Sequence, residues 1–417
     1  MVFLYNLGIK LYNILLFLLH FFNPKARLWV DGRRNIFENI AAQVNAQQKH
    51  IWFHFASLGE FEQGRPVLEQ VKKAYPANPI VITFFSPSGY ELRKNYSLAD
   101  HVFYLPLDTR QNAKRFIELI NPKFVIFTKY EYWYHYYKQL NRSGIPLYII
   151  SAIFRENQPF FKWYGSLNRK ILSFVSHFFV QDEFSAGMLR RIHINNVTVS
   201  GDTRFDRVAE NAQAPKQFEI VKKFCGDSKV FVAGSTWPED ENLIAALVKA
   251  YPDWKFVLAP HEIKPEKIKA LEDKLPKGAS IRYSVLSADE SSDVKAVTNP
   301  QLLIIDNIGM LSSLYQYGGI AYIGGGFGVG IHNTLEAAAF GIPVIFGPNY
   351  QKFLEAKSLI SNGGGFTIAN EAELRSVMQN LQDEVFRKQA GSAAGNFVQD
   401  QKGATGTIIR FLAKTIQ

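Results

Sequence analysis

Short runs in which nearly every position is apolar recur along the chain, separated by stretches in which apolar residues return every three or four positions. The first set is IWFHFA (51–56), IVITFF (80–85), HVFYLP (101–106), FVIFTK (124–129), PLYIIS (146–151) and HFFVQD (177–182). Near-continuous apolar runs of this length predict strands buried on both faces, as in a parallel sheet covered by helices. Segments 61–75, 109–120 and 133–143 between them read as those helices. The rhythm restarts with VFVAGST (230–236), WKFVLAP (254–260), LLIID (302–306), GIAYIGG (319–325) and IPVIFGP (342–348). Helices are expected there at 239–251, 263–274, 308–317 and 333–340. The polar stretch 207–228 reads as a connection. The fold class is therefore α/β, with two tandem Rossmann-like domains at 31–206 and 229–417. The last helices, 371–417, are expected to pack back toward the first domain. No repeat of 20–50 residues is present, which excludes a solenoid.

Residues 1–30 break the pattern. MVFLYNLGIKLYNILLFLLHFF is apolar apart from Asn6, Lys10, Asn13 and His20, and has no small-residue cleavage site. It is marginal for a span of about 20 residues. Lys25, Arg27, Trp29, Arg33 and Arg34 follow it, so a helix lying in or dipping into a bilayer is expected, with the body of the protein cytoplasmic. A buried first helix of a soluble domain is the competing reading.

Charge sharpens this picture. Of a net +10, residues 1–205 carry 25 Lys and Arg against 14 Asp and Glu, and the remainder carries 22 against 23. A basic first half beside a neutral second half points to an anionic surface or a phosphorylated substrate. Nucleic acid is the weaker partner, because no Lys/Arg-rich run and no nucleic-acid module is present. The single cysteine, Cys225, excludes an intramolecular disulfide and fits a reducing compartment. The nine histidines show no metal-ligand spacing, so no metal is expected.

In open α/β sheets ligands bind beyond the carboxyl ends of the strands, and two such domains are expected to hold a ligand in the cleft between them. Strand ends are where chemistry should lie. GGGFGVGIHNTLEAAAFGIPVIFGP (324–348) places a glycine-rich loop before a helix. Backbone amides there can approach a phosphate, Asn333 can cap the helix, and Glu336 can accept hydrogen bonds from ribose hydroxyls. A tight turn with a capping carboxylate gives the same pattern. In HFASLGEFEQGRP (54–66), Glu60 opens a helix directly after a strand, where a carboxylate can take a proton from a hydroxyl or merely cap. Glu131 follows another strand among aromatics that are expected to be core, and Lys129 is expected to point to the opposite face. Ser86, Ser88 and Gly89 form a turn able to donate to an anion, and Arg155, Asp202, Arg204, Gly234–Thr236, His261 and Glu262 stand at further strand ends.

In this order and spacing, Ser57-Leu58-Gly59-Glu60, Ser86-Pro87-Ser88-Gly89, Glu131-Tyr132-Trp133, Gly201 through Asp206, Gly234-Ser235-Thr236 and His332-Asn333-Thr334-Leu335-Glu336 resemble the 3-deoxy-D-manno-oct-2-ulosonic acid (Kdo) transferases of Gram-negative bacteria. The resemblance covers nearly the whole chain. It implies a glycosyltransferase-B (GT-B) fold, a donor CMP-Kdo, and a lipid A precursor as acceptor at the cytoplasmic face of the inner membrane, without a metal. It implies Glu60 as general base and Glu131 as a residue that positions the acceptor or supports Glu60. Ser57, Gly59, Ser86, Ser88 and Arg155 are implied on the acceptor side. Gly234, Ser235, Thr236, Pro260, His261, Gly325, Gly326, Asn333 and Glu336 are implied on the donor side. The chain departs from the family at His261, where an arginine is common, and at Lys129, Tyr134, Asp202 and Arg204. The alternatives are a two-domain transferase using a UDP-sugar and another membrane acceptor, or a membrane-tethered nucleotide-binding protein without catalysis.

Overall fold

Seven strands run parallel in the first sheet: β1 (His50–Phe55), β2 (Ile80–Phe84), β3 (His101–Tyr104), β4 (Pro122–Thr128), β5 (Leu147–Ala152), β6 (His177–Val180) and β7 (Val197–Val199). Their order is β3-β2-β1-β4-β5-β6-β7. Every residue of β1, β2 and β5 is buried, as the nearly continuous apolar runs require. Alternate side chains feed two cores. Trp52, Phe116, Phe127 and Tyr136 fill one face, and Phe53, Phe55, Phe61 and Phe84 the other. The computed structural model describes residues 1–288 and 299–416.

The second sheet holds β8 (Lys229–Thr236), β9 (Trp254–Pro260), β10 (Ser280–Arg282), β11 (Leu302–Ile304), β12 (Ile320–Ile323), β13 (Val344–Phe346) and β14 (Gly365–Thr367). Its order is β10-β11-β9-β8-β12-β13-β14, again parallel. In each sheet the chain winds outward on one side of its first strand and then returns to the other. The reversal falls between β1 and β4 in the first sheet and between β8 and β12 in the second. Loops leave adjacent strands toward opposite faces at such a point, opening a crevice at the carboxyl ends.

The chain divides into two units, Met1–Arg207 with Lys402–Gln417, and Val208–Gln401. The stretch expected as a polar connection is helical over Thr203–Gln213 and Glu219–Cys225, because Val221 and Cys225 supply buried positions. Of the terminal helices, Glu371–Gln382 and Glu384–Gln401 stay with the second unit through Leu374, Met378, Leu381 and Ala390. Only Ala404–Thr415 joins the first, where Ile408 and Leu412 enter the core. Asp206 fixes its start by accepting from the amides of Gly403 and Thr405 at 2.5 and 2.7 Å.

The N-terminal helix Val2–Leu19 buries no residue completely, and Phe3, Leu4, Leu11, Ile14 and Leu18 are each more than half exposed. Two of its polar side chains, Tyr5 and Asn6, have partners in the first unit. The Tyr5 hydroxyl donates to Asp108 Oδ2 at 2.5 Å, and Asn6 Oδ1 meets His135 Nε2 at 2.7 Å. Trp29 and Arg33, expected as membrane-flanking residues, are instead structural. Trp29 is buried, and Arg33 lies over its ring at 3.8 Å while donating to the carbonyls of Trp29, Phe85 and Leu105.

The helix Leu58–Ala74 follows β1 and must lie close over the sheet. Gly64 makes this possible: a Cβ there would stand 2.5 Å from Phe55 Cε1 and 2.8 Å from Thr128 Oγ1. Gly64→Ala is therefore expected to lift this helix, lowering the first unit's stability by about 1–3 kcal/mol. An unchanged thermal unfolding profile would refute that tight contact.

Candidate active site

The first crevice is built where β1 and β4 end. Ser57 takes the N-cap position of Leu58–Ala74 in extended backbone, and Glu60 stands in the first turn. Glu60 Oε2 accepts from the Ala56 amide at 2.6 Å, so the carboxylate does close the start of its helix. Its other oxygen, Oε1, makes no hydrogen bond among the described residues. Burial is the main force pushing the Glu60 carboxyl up to about 7, and the charge of Glu131 adds to it. The Ala56 amide and the Lys129 ammonium pull the other way.

Glu131 leaves the end of β4 and is fixed from several sides. Trp133 Nε1 donates to its Oε2 at 2.8 Å, and the Tyr137 hydroxyl donates to its carbonyl. Behind it, Asp108 accepts from the amides of His135 and Tyr136 at 3.0 and 2.9 Å, closing the start of the helix Tyr134–Arg142. Lys129 departs from expectation. Its φ of +58° puts it in the left-handed region just after β4, so strand alternation no longer governs its side chain. Its positive charge reaches Glu60 instead.

Ser86 lies beside this pair, because its amide donates to the Ala56 carbonyl at 2.8 Å. Its hydroxyl accepts from the Ser88 amide and sits 3.0 Å from the Ser88 hydroxyl. Gly59 is exposed at the same edge. Arg155 follows β5, where its charge acts on Tyr130, which Glu60 also faces. The aromatics divide: Tyr134, Tyr136 and Tyr137 are core, and Tyr130 is exposed.

The second crevice lies where β8 and β12 end. Asp240, fully buried in the first turn of Pro238–Ala250, ties the two strand ends together. It accepts from the amides of Trp237 and Gly325 at 2.9 Å and from the Tyr322 hydroxyl at 2.7 Å. Burial raises its carboxyl above the ordinary value. The glycines have a reason beyond room for a ligand. A Cβ on Gly324 would strike the backbone of Ser235 and Thr236, one on Gly326 would come within 2.6 Å of Gly347, and Gly325 has φ +90°. The helix expected at 333–340 is a single turn, Leu335–Ala338, with too few aligned peptides for a strong dipole. Asn333 accepts from the Leu335 amide at 3.1 Å, and its Nδ2 donates to Glu336 Oε1 at 3.0 Å. Pro260 ends β9, and the His261 amide donates to the Thr236 carbonyl. The His261 ring stacks on Trp237 at 4.5 Å and lies 4.7 Å from His332.

Residues 32–207 match the family model of the 3-deoxy-D-manno-octulosonic-acid transferases (kdotransferases). The 3-deoxy-D-manno-octulosonic acid transferase of Haemophilus influenzae is 27% identical, over 87% of this chain and 86% of its own. That of Aquifex aeolicus is 29% identical, over 79% of this chain and 85% of its own. Over most of its length the chain is similar to Kdo transferases. It is a glycosyltransferase. Among solved structures, UDP-GlcNAc 2-epimerase of Neisseria meningitidis superposes with a TM-score of 0.61 over 88% of this chain and 100% of its own. Its 19% identity speaks for the shared two-sheet GT-B fold alone.

In the transferase, each group of candidate residues gathers on its own sheet edge. Ser57, Gly59, Glu60, Ser86, Glu131 and Arg155 lie beyond β1, β2, β4 and β5. Gly234, Ser235, Thr236, Pro260, His261, Gly325, Gly326 and Asn333 lie at or just beyond the ends of β8, β9 and β12, and Glu336 sits in the turn of helix that follows. Two buried residues of these edges, Asp240 and His54, have no distinctive signal in sequence. Asp240 is one of three acidic residues at a helix start, and His54 sits inside an apolar run.

Proposed function

We propose that the transferase moves Kdo from CMP-Kdo to the lipid A precursor, with inversion, in lipopolysaccharide biosynthesis. The observation that carries this reading is Glu60: a carboxyl at a switch point, raised to about 7, with one oxygen uncommitted and a second carboxylate beside it. Such a group is balanced between holding and releasing a proton near neutral pH, as a general base requires. Similarity to the Kdo transferases supports the choice of sugar.

Glu60 takes the proton of the acceptor hydroxyl as that oxygen bonds to the anomeric carbon of Kdo. The bond from that carbon to the phosphate oxygen breaks, and CMP leaves with the electron pair. Glu131 orients the acceptor and keeps Glu60 basic. Ser57, Gly59, Ser86, Ser88 and Arg155 bind acceptor polar groups. On the donor side Glu336, held by Asn333, receives the ribose hydroxyls. The Gly234-Ser235-Thr236 turn, Pro260, His261 and the Gly325–Gly326 loop receive the CMP moiety, with no metal assigned a part. The exposed apolar side of Val2–Leu19 and the positive charge of residues 1–205 favour the anionic cytoplasmic face of the inner membrane.

Incubation with CMP-Kdo and the tetra-acylated precursor, read by mass spectrometry of the lipid, is expected to show Kdo addition that CMP inhibits. Inhibition by UDP alone, or transfer from a UDP-sugar, would replace this donor assignment.

A further inference from the structure

Behind Glu131 lies a buried polar chain that the transfer reaction does not use directly. His54 is fully buried in β1, opposite Thr83 of β2 in parallel register. Trp52, two residues earlier on the same side, donates its indole N–H to Thr83 Oγ1 at 2.7 Å. His54 Nδ1 lies 2.8 Å from that same oxygen. On the other side of the ring, His54 Nε2 has no hydrogen-bond partner and faces Glu131 Oε2 at 3.6 Å.

The proton positions follow from these contacts. Thr83 Oγ1 already accepts from Trp52, and its own proton has the Phe53 carbonyl only at 3.5 Å against Nδ1 at 2.8 Å. The hydroxyl therefore donates to Nδ1, and the neutral ring carries its proton on Nε2. The opposite tautomer would aim a lone pair at the Glu131 carboxylate inside a dry core, which is repulsive. Burial keeps the imidazole neutral.

We propose that His54, locked by Thr83 and Trp52, is a positioning residue that holds the Glu131 carboxylate toward Glu60. This rests on the transfer reading above. Glu131 Oε2 accepts from Trp133 of its own loop at 2.8 Å, and the Nε2 edge of His54 faces it from the sheet at 3.6 Å. The charged and titratable groups facing the chain are Glu131 and Arg33 for His54, and Glu131, Lys129 and the Tyr130, Tyr132 and Tyr137 phenols for Glu60.

The test compares Thr83→Val, Thr83→Ser and His54→Phe with the parent enzyme, at equal amounts of folded protein, in Kdo transfer across pH. Thr83→Val keeps the volume but removes the link. It is expected to lower kcat about tenfold, leave KM for the donor within about twofold, and move the acid limb of the kcat profile to lower pH. The shift follows because a Glu131 free to swing away no longer opposes ionisation of Glu60. His54→Phe should act in the same way, and Thr83→Ser should restore parental behaviour. Parental kcat and an unmoved limb in folded Thr83→Val and His54→Phe overturn the inference, as does failure of Thr83→Ser to restore them. A Glu60→Gln enzyme that still turns over would instead sink the transfer reading itself, so the two failures are separable.

Discussion

Glu60→Gln is expected to reduce Kdo transfer by about a thousandfold while leaving CMP binding unchanged. The amide keeps the shape of the carboxylate, and its oxygen can still accept from the Ala56 amide, so the start of Leu58–Ala74 survives. What disappears is the proposed proton acceptor. In the parent enzyme, activity should rise with pH through about 7 as the raised carboxyl ionises, because only the anion can take the hydroxyl proton. The sign is fixed by burial: the desolvated carboxyl holds its proton to higher pH, so activity is lost on the acid side. Glu60→Gln should flatten that limb into a low, pH-independent residue of activity. Near-parental turnover, or loss of activity together with loss of CMP binding, would remove Glu60 from the base's role.

The second large effect is expected at Asp240. Asp240→Ala strands three donors at once, the amides of Trp237 and Gly325 and the Tyr322 hydroxyl. Each buried donor left unpaired costs about 1–3 kcal/mol, so a loss of roughly 4 kcal/mol in the second unit is expected. The functional consequence should be as strong, because the same carboxylate fixes the ends of β8 and β12 where the nucleotide is proposed to bind. CMP affinity should fall at least about tenfold. Amide exchange is the direct readout: Trp237 and Gly325 should lose protection well before the amides of β9. Parental protection at Gly325 together with parental CMP affinity would show that the loop does not depend on Asp240.

The central strands were legible in sequence because burial on both faces leaves runs in which nearly every position is apolar. The strands that escaped, β7, β10 and β14, are three residues each and lie at sheet margins, where no run is long enough to register. Glu60 was legible for a similar local reason, as a carboxylate one turn past a strand. Lys129 was misplaced: residues two apart in a strand share a face, and β4 in any case ends one residue earlier, leaving Lys129 at φ +58°. The helix after Asn333 was overread: LEAAAFG has the composition of a helix, but the chain leaves it after Leu335–Ala338. His54 and Asp240 could not be singled out locally. A histidine in an apolar run and one acid among Glu239, Asp240 and Glu241 acquire meaning only from Thr83, Tyr322 and Gly325, each 29 to 85 residues away.

Asp108 serves two masters at once, the phenol of Tyr5 and the amides that open the helix behind Glu131. The greasy N-terminal rod is thus keyed into the first unit like a handle forged onto its blade. A foreign segment of equal length and apolar content would leave this lock without its key.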